Sequence, residues 1–292
     1  MSQLAPRNDA WRTHPPPAGV NQYLSDNGSS WLFAVAALFG VTTLGLFAHK
    51  FKARNGERFF HYLFIIAAFV GLVTYYAQGC DLGWDVIRQA NQINRSGFTR
   101  QIFWPKYVFW VVAFPAVVVA LGVISGVSWA TILFNVFLTW IWQLSYLAAA
   151  YTPSNYKWGF FAWGLLAHLF LLYSTLIHSR RNATHVGIRS DYTKLTGYAN
   201  FLWLIYPIAW GLSDGGNVIG VTASFIWFGI LDLLLVVGFA AFTIVLSRRW
   251  DYGRLNIAFT QYGRVPVHAG SFPEKNSAHA NAAVAPNTRT AV

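Results

Sequence analysis

Residues 219–246 read IGVTASFIWFGILDLLLVVGFAAFTIVL, and Asp232 is the only charge among these 28 residues. As an α-helix the stretch is about 42 Å long, more than the roughly 30 Å hydrocarbon core of a bilayer. A helix that is apolar on every side has no water-facing surface to present, so the segment reads as a membrane span. A carboxylate in the middle of such a span costs at least about 2.5–3.5 kcal/mol. Asp232 therefore needs a partner, a wet cavity or a proton, and it is a functional candidate by default.

Six similar stretches precede it, at 31–48, 59–79, 103–122, 129–149, 159–177 and 198–213. The sixth is the shortest, and its start is expected a few residues earlier. Composition agrees with a membrane protein: 55% hydrophobic and 11% charged residues, against about 25% charged in soluble domains. The mean hydropathy is +0.39. The fold expected is all-α, an integral membrane bundle of seven transmembrane helices over residues 29–250. Residues 1–28 are expected to form an extracellular disordered tail without a signal peptide, and residues 251–292 a largely disordered cytoplasmic tail.

The net charge of +11 does not indicate nucleic acid, because the cations sit in loops between apolar spans and not in a stripe on a polar fold. Lys50, Lys52, Arg54 and Arg58 follow the first span, Arg180, Arg181, Arg189 and Lys194 the fifth, and Arg248, Arg249 and Arg254 the seventh. These three regions share one side. The positive-inside rule makes it cytoplasmic, with the amino terminus outside and the carboxyl terminus inside. The opposite side carries a mixed loop with Asp81, Asp85, Arg88, Arg95 and Arg100, then a short turn with Asp214. The sequons at Asn27 and Asn94 lie too near helix ends for glycosylation to be expected.

Trp203, Tyr206 and Trp210 share one face of the sixth span, with Pro207 among them; aromatic packing alone would explain such a face. In the third span Lys106, Phe109, Trp110 and Ala113 lie on one side. Asp232 is expected to be held by Tyr206 and Tyr75, with Lys106 close or one turn further out, because an unpaired buried carboxylate is costly.

The combination of Tyr107-x-x-Trp110 with Pro115, Trp203-x-x-Tyr206-Pro207-x-x-Trp210, and Asp232 resembles the microbial (type I) rhodopsins over all seven spans. The resemblance implies a pocket in which Trp110, Trp203, Tyr206, Pro207 and Trp210 would wrap a retinal polyene, and in which Asp232 belongs to the counterion complex. A polar cluster of Tyr75, Lys106, Tyr107 and Asp232 is expected beside it.

The departures from that pattern decide the expected function. The family's Schiff-base lysine lies four residues after the aspartate, and here that position is Val236. The six lysines are Lys50, Lys52, Lys106, Lys157, Lys194 and Lys275, none of them in the seventh span. Valine has no amine, so retinal cannot attach covalently at that position. The positions of the family's proton acceptor, cytoplasmic donor and outer carboxylate hold Phe109, Ala120 and Ser224, none of which relays a proton as a carboxylate does. Lys106 stands at the position of the family's arginine.

Loss of both the lysine and the relay is similar to a fungal opsin-related branch that includes a heat-shock plasma-membrane protein of yeast. Thr99-Arg100-Gln-Ile-Phe-Trp104 and Trp210-Gly-Leu-Ser-Asp214-Gly-Gly-Asn217 also resemble that branch. The resemblance implies a non-photochemical, stress-linked regulatory or chaperone-like role at the plasma membrane, with the proton ATPase as a partner. No enzymatic activity and no covalent cofactor are expected. Two alternatives stand. One is a binder or carrier of an apolar ligand, such as a sterol or fatty acid, in the vestigial pocket. The other is a photoreceptor or ion transporter that holds retinal without the usual lysine. A homo-oligomer is expected only by analogy of fold.

The remaining polar residues suggest less. Cys80 has no partner at disulfide or metal spacing. His168 reads as a satisfied core histidine, Asn135 and Gln143 as interhelical hydrogen-bonding residues, and His268 and His279 as tail residues. No metal site, phosphate loop or nucleophile elbow is expected.

Overall fold

A computed structural model describes residues 9–16, 18–54, 56–90 and 99–252. A short helix, α1 (Ala10–Thr13), precedes α2 (Asp26–His49) and α3 (Arg58–Gly79). Strands β1 (Trp84–Arg88) and β2 (Thr99–Phe103) follow, then α4 (Trp104–Ser125) and α5 (Trp129–Tyr151). The fifth span is α6 (Lys157–Tyr173), a π-helical turn Ser174–His178, and α7 (Ser179–Val186). The sixth is α8 (Arg189–Trp210) with a π turn Gly211–Gly215. The seventh is α9 (Val221–Leu233), a π turn Leu234–Gly238, and α10 (Phe239–Ser247).

Six of these spans are long and apolar enough to cross a membrane. The sixth span is the exception. It starts at Arg189 and not near 198, and its first turns carry Arg189, Asp191 and Lys194. Polarity hid these turns from a hydropathy reading. Asp191 is tied down by Trp250, whose Nε1 donates to its Oδ2 at 3.0 Å.

Local chemistry explains the span ends. Ser25 and Ser128 cap α2 and α5 by accepting from the amides of Gly28 and Thr131 at 3.1 and 3.3 Å. Pro105 lies in the first turn of α4, where no amide is needed. Gly187, at φ 88°, turns the chain between the fifth and sixth spans in a conformation that side chains disfavour.

Each helix packs on the next, and α9 returns to α2, which closes the bundle. The third span lies innermost: 72% of its apolar window is buried, against 28–50% for the other five. Only a stripe from Trp104 and Val108 through Val111, Val112, Pro115 and Val119 is left exposed or half-exposed.

Each π turn leaves a carbonyl that a side chain from a neighbouring element satisfies. The Tyr192 hydroxyl donates to the Thr175 carbonyl at 2.8 Å and that of Tyr198 to the Leu234 carbonyl at 2.9 Å. Lys157 Nζ donates to the Asp214 carbonyl at 2.8 Å. At Gly238 a Cβ would stand 2.5 Å from the Tyr198 hydroxyl, so glycine permits that approach.

Two expectations change. The mixed loop after α3 contains an antiparallel hairpin, with Trp84 opposite Phe103 and Arg88 opposite Thr99. The inner part of the amino-terminal segment is ordered and not a tail. The Gln22 amide donates to the Thr99 carbonyl at 3.0 Å, the Leu24 amide donates to Gln101 Oε1 at 2.9 Å, and Leu24 is buried. Backbone pairing fixes both segments, and pairing at that separation leaves no mark in hydropathy. Residues 253–292, with His268, His279 and Lys275, and the sequon at Asn94 lie outside the described residues.

Candidate functional site

Asp232 is fully buried near the middle of the seventh span. Three neutral donors from three other helices hold it. Tyr75 of α3 donates to Oδ2 at 2.5 Å, Tyr206 of α8 to Oδ1 at 2.6 Å, and Trp110 of α4 to Oδ1 at 3.0 Å. Hydrogen bonds to a charged group are worth about 1.5–3 kcal/mol each, so three offset the cost of burying this carboxylate without a cation. Both tyrosines lie where the sequence placed them, and the tryptophan is an addition.

The expected polar cluster of Tyr75, Lys106, Tyr107 and Asp232 is divided in two. Lys106 Nζ lies 2.5 Å from Asp214 Oδ2, and the Tyr107 hydroxyl donates to the same oxygen at 2.8 Å. Lys106 precedes Trp110 by one helical turn, about 6 Å along the axis, and that places it level with the end of α8.

Asp214 is the centre of this second cluster. Arg100 Nε donates to its Oδ1 at 3.2 Å. The same guanidinium reaches Asn217 Oδ1 at 3.3 Å, the Ile219 carbonyl at 2.7 Å and Ser224 Oγ at 3.2 Å. Lys157 also donates to Gln89 Oε1 at 3.0 Å, and Trp210 Nε1 donates to the Tyr107 hydroxyl at 2.9 Å. Burial pushes the Arg100 pKa down while Asp214 opposes the shift. Sequence reasoning read Asp214 and Arg100 as loop charges. The signal was present, because the two segments singled out beyond the cage, Thr99–Trp104 and Trp210–Asn217, are the ones that meet here. Ser224 serves as an acceptor for Arg100.

The cage aromatics are not one open slot. Phe114, one turn beyond Trp110, stands among them. Its ring centre is 4.9 Å from Tyr206, 5.2 Å from Trp142 and 6.4 Å from Trp110, and it stacks on Trp203 at 5.9 Å. Phe114 is thus in direct contact with rings from α4, α5 and α8. Trp210 stacks on Phe161 at 5.3 Å and packs on Tyr146 at 4.9 Å. Pro207 is buried within α8, which continues through it. Val236 is buried in the π turn one helical turn past Asp232. Phe109 packs between Phe39 at 5.3 Å and Tyr75 at 5.9 Å, and Ala120 is buried in α4.

His168 differs from its expectation. It stacks on Trp142 at 4.1 Å, and neither ring nitrogen has a hydrogen-bond partner among the described residues. Asn135 Oδ1 and Gln143 Nε2 also lack partners there, so these atoms do not make the expected interhelical bonds.

Comparison with known proteins agrees with this geometry. The family model described as bacteriorhodopsin-like protein matches residues 27–249. Protein FDD123 of Trametes versicolor is 34% identical over 97% of this chain and 94% of its own. The 30 kDa heat shock protein of Saccharomyces cerevisiae is 26% identical over 88% of this chain and 83% of its own. Among solved structures, the light-driven proton pump LR (Mac) from Leptosphaeria maculans superposes with a TM-score of 0.72 at 26% identity, covering 78% of this chain and 96% of that one. The chain is a multi-pass membrane protein with the microbial-rhodopsin fold, and it belongs to the bacteriorhodopsin-like family.

Proposed function

We propose that this chain is a retinal-free, non-photochemical opsin-related protein with a stress-linked regulatory or chaperone-like role at the plasma membrane. The observation that carries this reading is the state of Asp232. Tyr75, Tyr206 and Trp110 all donate to it, so the carboxylate is satisfied by neutral groups without a cation bonded to it. The residues present do not fit retinal: Val236 offers no amine and Phe114 takes the polyene's space. On this reading the former pocket is a rigid core, and the protein acts through contacts with lipid and with other membrane proteins, the plasma-membrane proton ATPase among them. The relative named as a heat shock protein supports the link to stress. The filled slot also weighs against an apolar ligand there. The amino terminus lies outside and the carboxyl terminus in the cytoplasm, by the loop charges.

Two measurements test the proposal. All-trans retinal added to the purified protein produces no red-shifted visible band; a band that hydroxylamine bleaches would overturn the retinal-free reading. ATP-driven proton pumping by plasma-membrane vesicles after heat stress differs between cells with and without the chain. Equal rates would remove the ATPase as partner.

A further inference from the structure

The end of α2 and the start of α3 bring together three groups that the membrane core does not use. One ring nitrogen of His49, a carboxylate oxygen of Glu57 and a ring nitrogen of His61 all lie within 4.8 Å of one another. His61 and Glu57 are buried and His49 is half-buried. Sequence reading passed over this set because His49 is separated from the other two by a turn between spans, and only Glu57 and His61 have helical i, i+4 spacing.

The hydrogen bonds fix the chemistry of His61. Its Nδ1 lies 3.0 Å from the Glu57 carbonyl, which can only accept, so Nδ1 carries the proton. Nε2 is then a bare lone pair, and it faces His49 Nδ1 at 2.7 Å. A backbone carbonyl that orients the far nitrogen is the usual support for a metal-binding histidine. The two rings lie 9° apart with centres at 5.0 Å. That separation is close to the N···N distance plus the two ring radii, so the rings meet edge to edge with their nitrogens facing.

Among the described residues Glu57 has only long contacts besides. Its carboxylate accepts from the Arg54 amide at 3.4 Å, and Arg54 Nε stands 3.9 Å away. Of the neighbouring cations only Arg54 reaches Glu57, and each makes a closer contact elsewhere. Arg54 Nη2 donates to the Ser247 carbonyl at 2.7 Å, Arg58 Nε to the Ala53 carbonyl at 3.3 Å, and Lys50 Nζ lies over the Phe47 ring at 3.8 Å. A buried carboxylate facing two imidazoles calls for a cation between them.

We propose that His49, Glu57 and His61 form a binding site for a divalent transition metal of the zinc class, clipping the first two spans together at one face of the membrane. Two histidines and a carboxylate are a borderline nitrogen–oxygen set suited to zinc, with the fourth position open to water. Two zinc–nitrogen bonds of about 2.0–2.1 Å at a tetrahedral angle need the nitrogens about 3.3 Å apart. The His49 ring, at the last residue of α2, swings out to make that room. On binding, the His49 proton moves from Nδ1 to Nε2, and His61 keeps its tautomer.

The test uses the full-length protein in detergent, titrated with Co²⁺ and then Zn²⁺. The wild type takes up one Co²⁺ that gives the intense visible bands of four-coordinate cobalt, and Zn²⁺ removes them. His49→Ala and His61→Ala each weaken this binding by at least about tenfold, and Glu57→Gln does so while keeping the side chain's shape. Zn²⁺ raises the thermal unfolding midpoint of the wild type but not of the variants. Size-exclusion profiles matching the wild type certify that the variants are folded. Should the cobalt bands persist in folded His49→Ala and Glu57→Gln proteins, or the wild type bind no metal, the trio is a hydrogen-bonded histidine pair and the proposal is wrong.

Discussion

Replacing Asp214 by Asn tests the second buried cluster. Asp214 is the only acidic side chain paired with either Arg100 or Lys106 among the described residues. The two cations differ in what remains after the charge is removed. Arg100 keeps Asn217 Oδ1, the Ile219 carbonyl and Ser224 Oγ as acceptors. Lys106 keeps ring faces, with Phe228 at 4.8 Å and Tyr107 at 5.0 Å, the more distant charge of Asp232, and at most a neutral amide oxygen at position 214. The cost of Asp214→Asn therefore falls mainly on a stranded lysine, and breaking a buried pair from one side costs about 3–5 kcal/mol. At roughly 2–4 °C per kcal/mol for a chain of this size, the unfolding midpoint falls by about 6–20 °C. Lys106→Met in the Asp214→Asn background recovers much of the loss, because it removes the orphaned charge. The coupling expected from a double-mutant cycle is about 2–3 kcal/mol. The assay is thermal unfolding of the four proteins in one detergent, followed by tryptophan fluorescence. Strictly additive effects, or an Asp214→Asn loss below about 1 kcal/mol, would refute the pairing of Lys106 with Asp214.

Three further outcomes follow from the same contacts. Val236→Lys supplies an amine but binds no retinal, whereas Val236→Lys with Phe114→Ala gains a red-shifted band; a band in the single variant means that Phe114 does not close the slot. Burial raises the Asp81 carboxyl to about 6, against partial offset by the Gln101 hydrogen bond and the nearby His14. Its protonated form is thus favoured in the fold, so its stabilising contribution is complete below its ordinary 3.8 and disappears as the pH rises through about 6. The unfolding midpoint of the wild type relative to Asp81→Asn, which mimics the protonated acid, should fall between pH 4 and pH 7; a constant difference contradicts the shift. An epitope at the carboxyl terminus should be inaccessible on intact cells and accessible after permeabilisation, and labelling of intact cells reverses the assigned orientation.

The position of seven spans was legible in the sequence because transfer from water to lipid depends on composition along a helix, which a linear reading sums directly. The sixth span shows the limit: its first turns carry Arg189, Asp191 and Lys194, with Asp191 bonded by Lys194 and Trp250, and hydropathy alone starts the span late. The bonds of Tyr75 and Tyr206 to Asp232 were legible too. A carboxylate in an apolar helix must find donors, and few polar side chains stood at its depth. Lys106 lies one turn further out, as the sequence allowed, but its pairing with Asp214 was not legible, since depth within one helix does not say which of two carboxylates lies nearer. Only the tertiary structure decided that Asp214 claims Lys106 and Arg100, that Trp110 completes the shell of Asp232, and that Phe114 packs among the cage rings. These depend on how far helices stand apart and how they are rotated, which a single sequence does not encode locally. Asp232 and Val236 by themselves determined that the seventh span carries a carboxylate and no amine; the packing around them decided that three neutral donors hold that carboxylate.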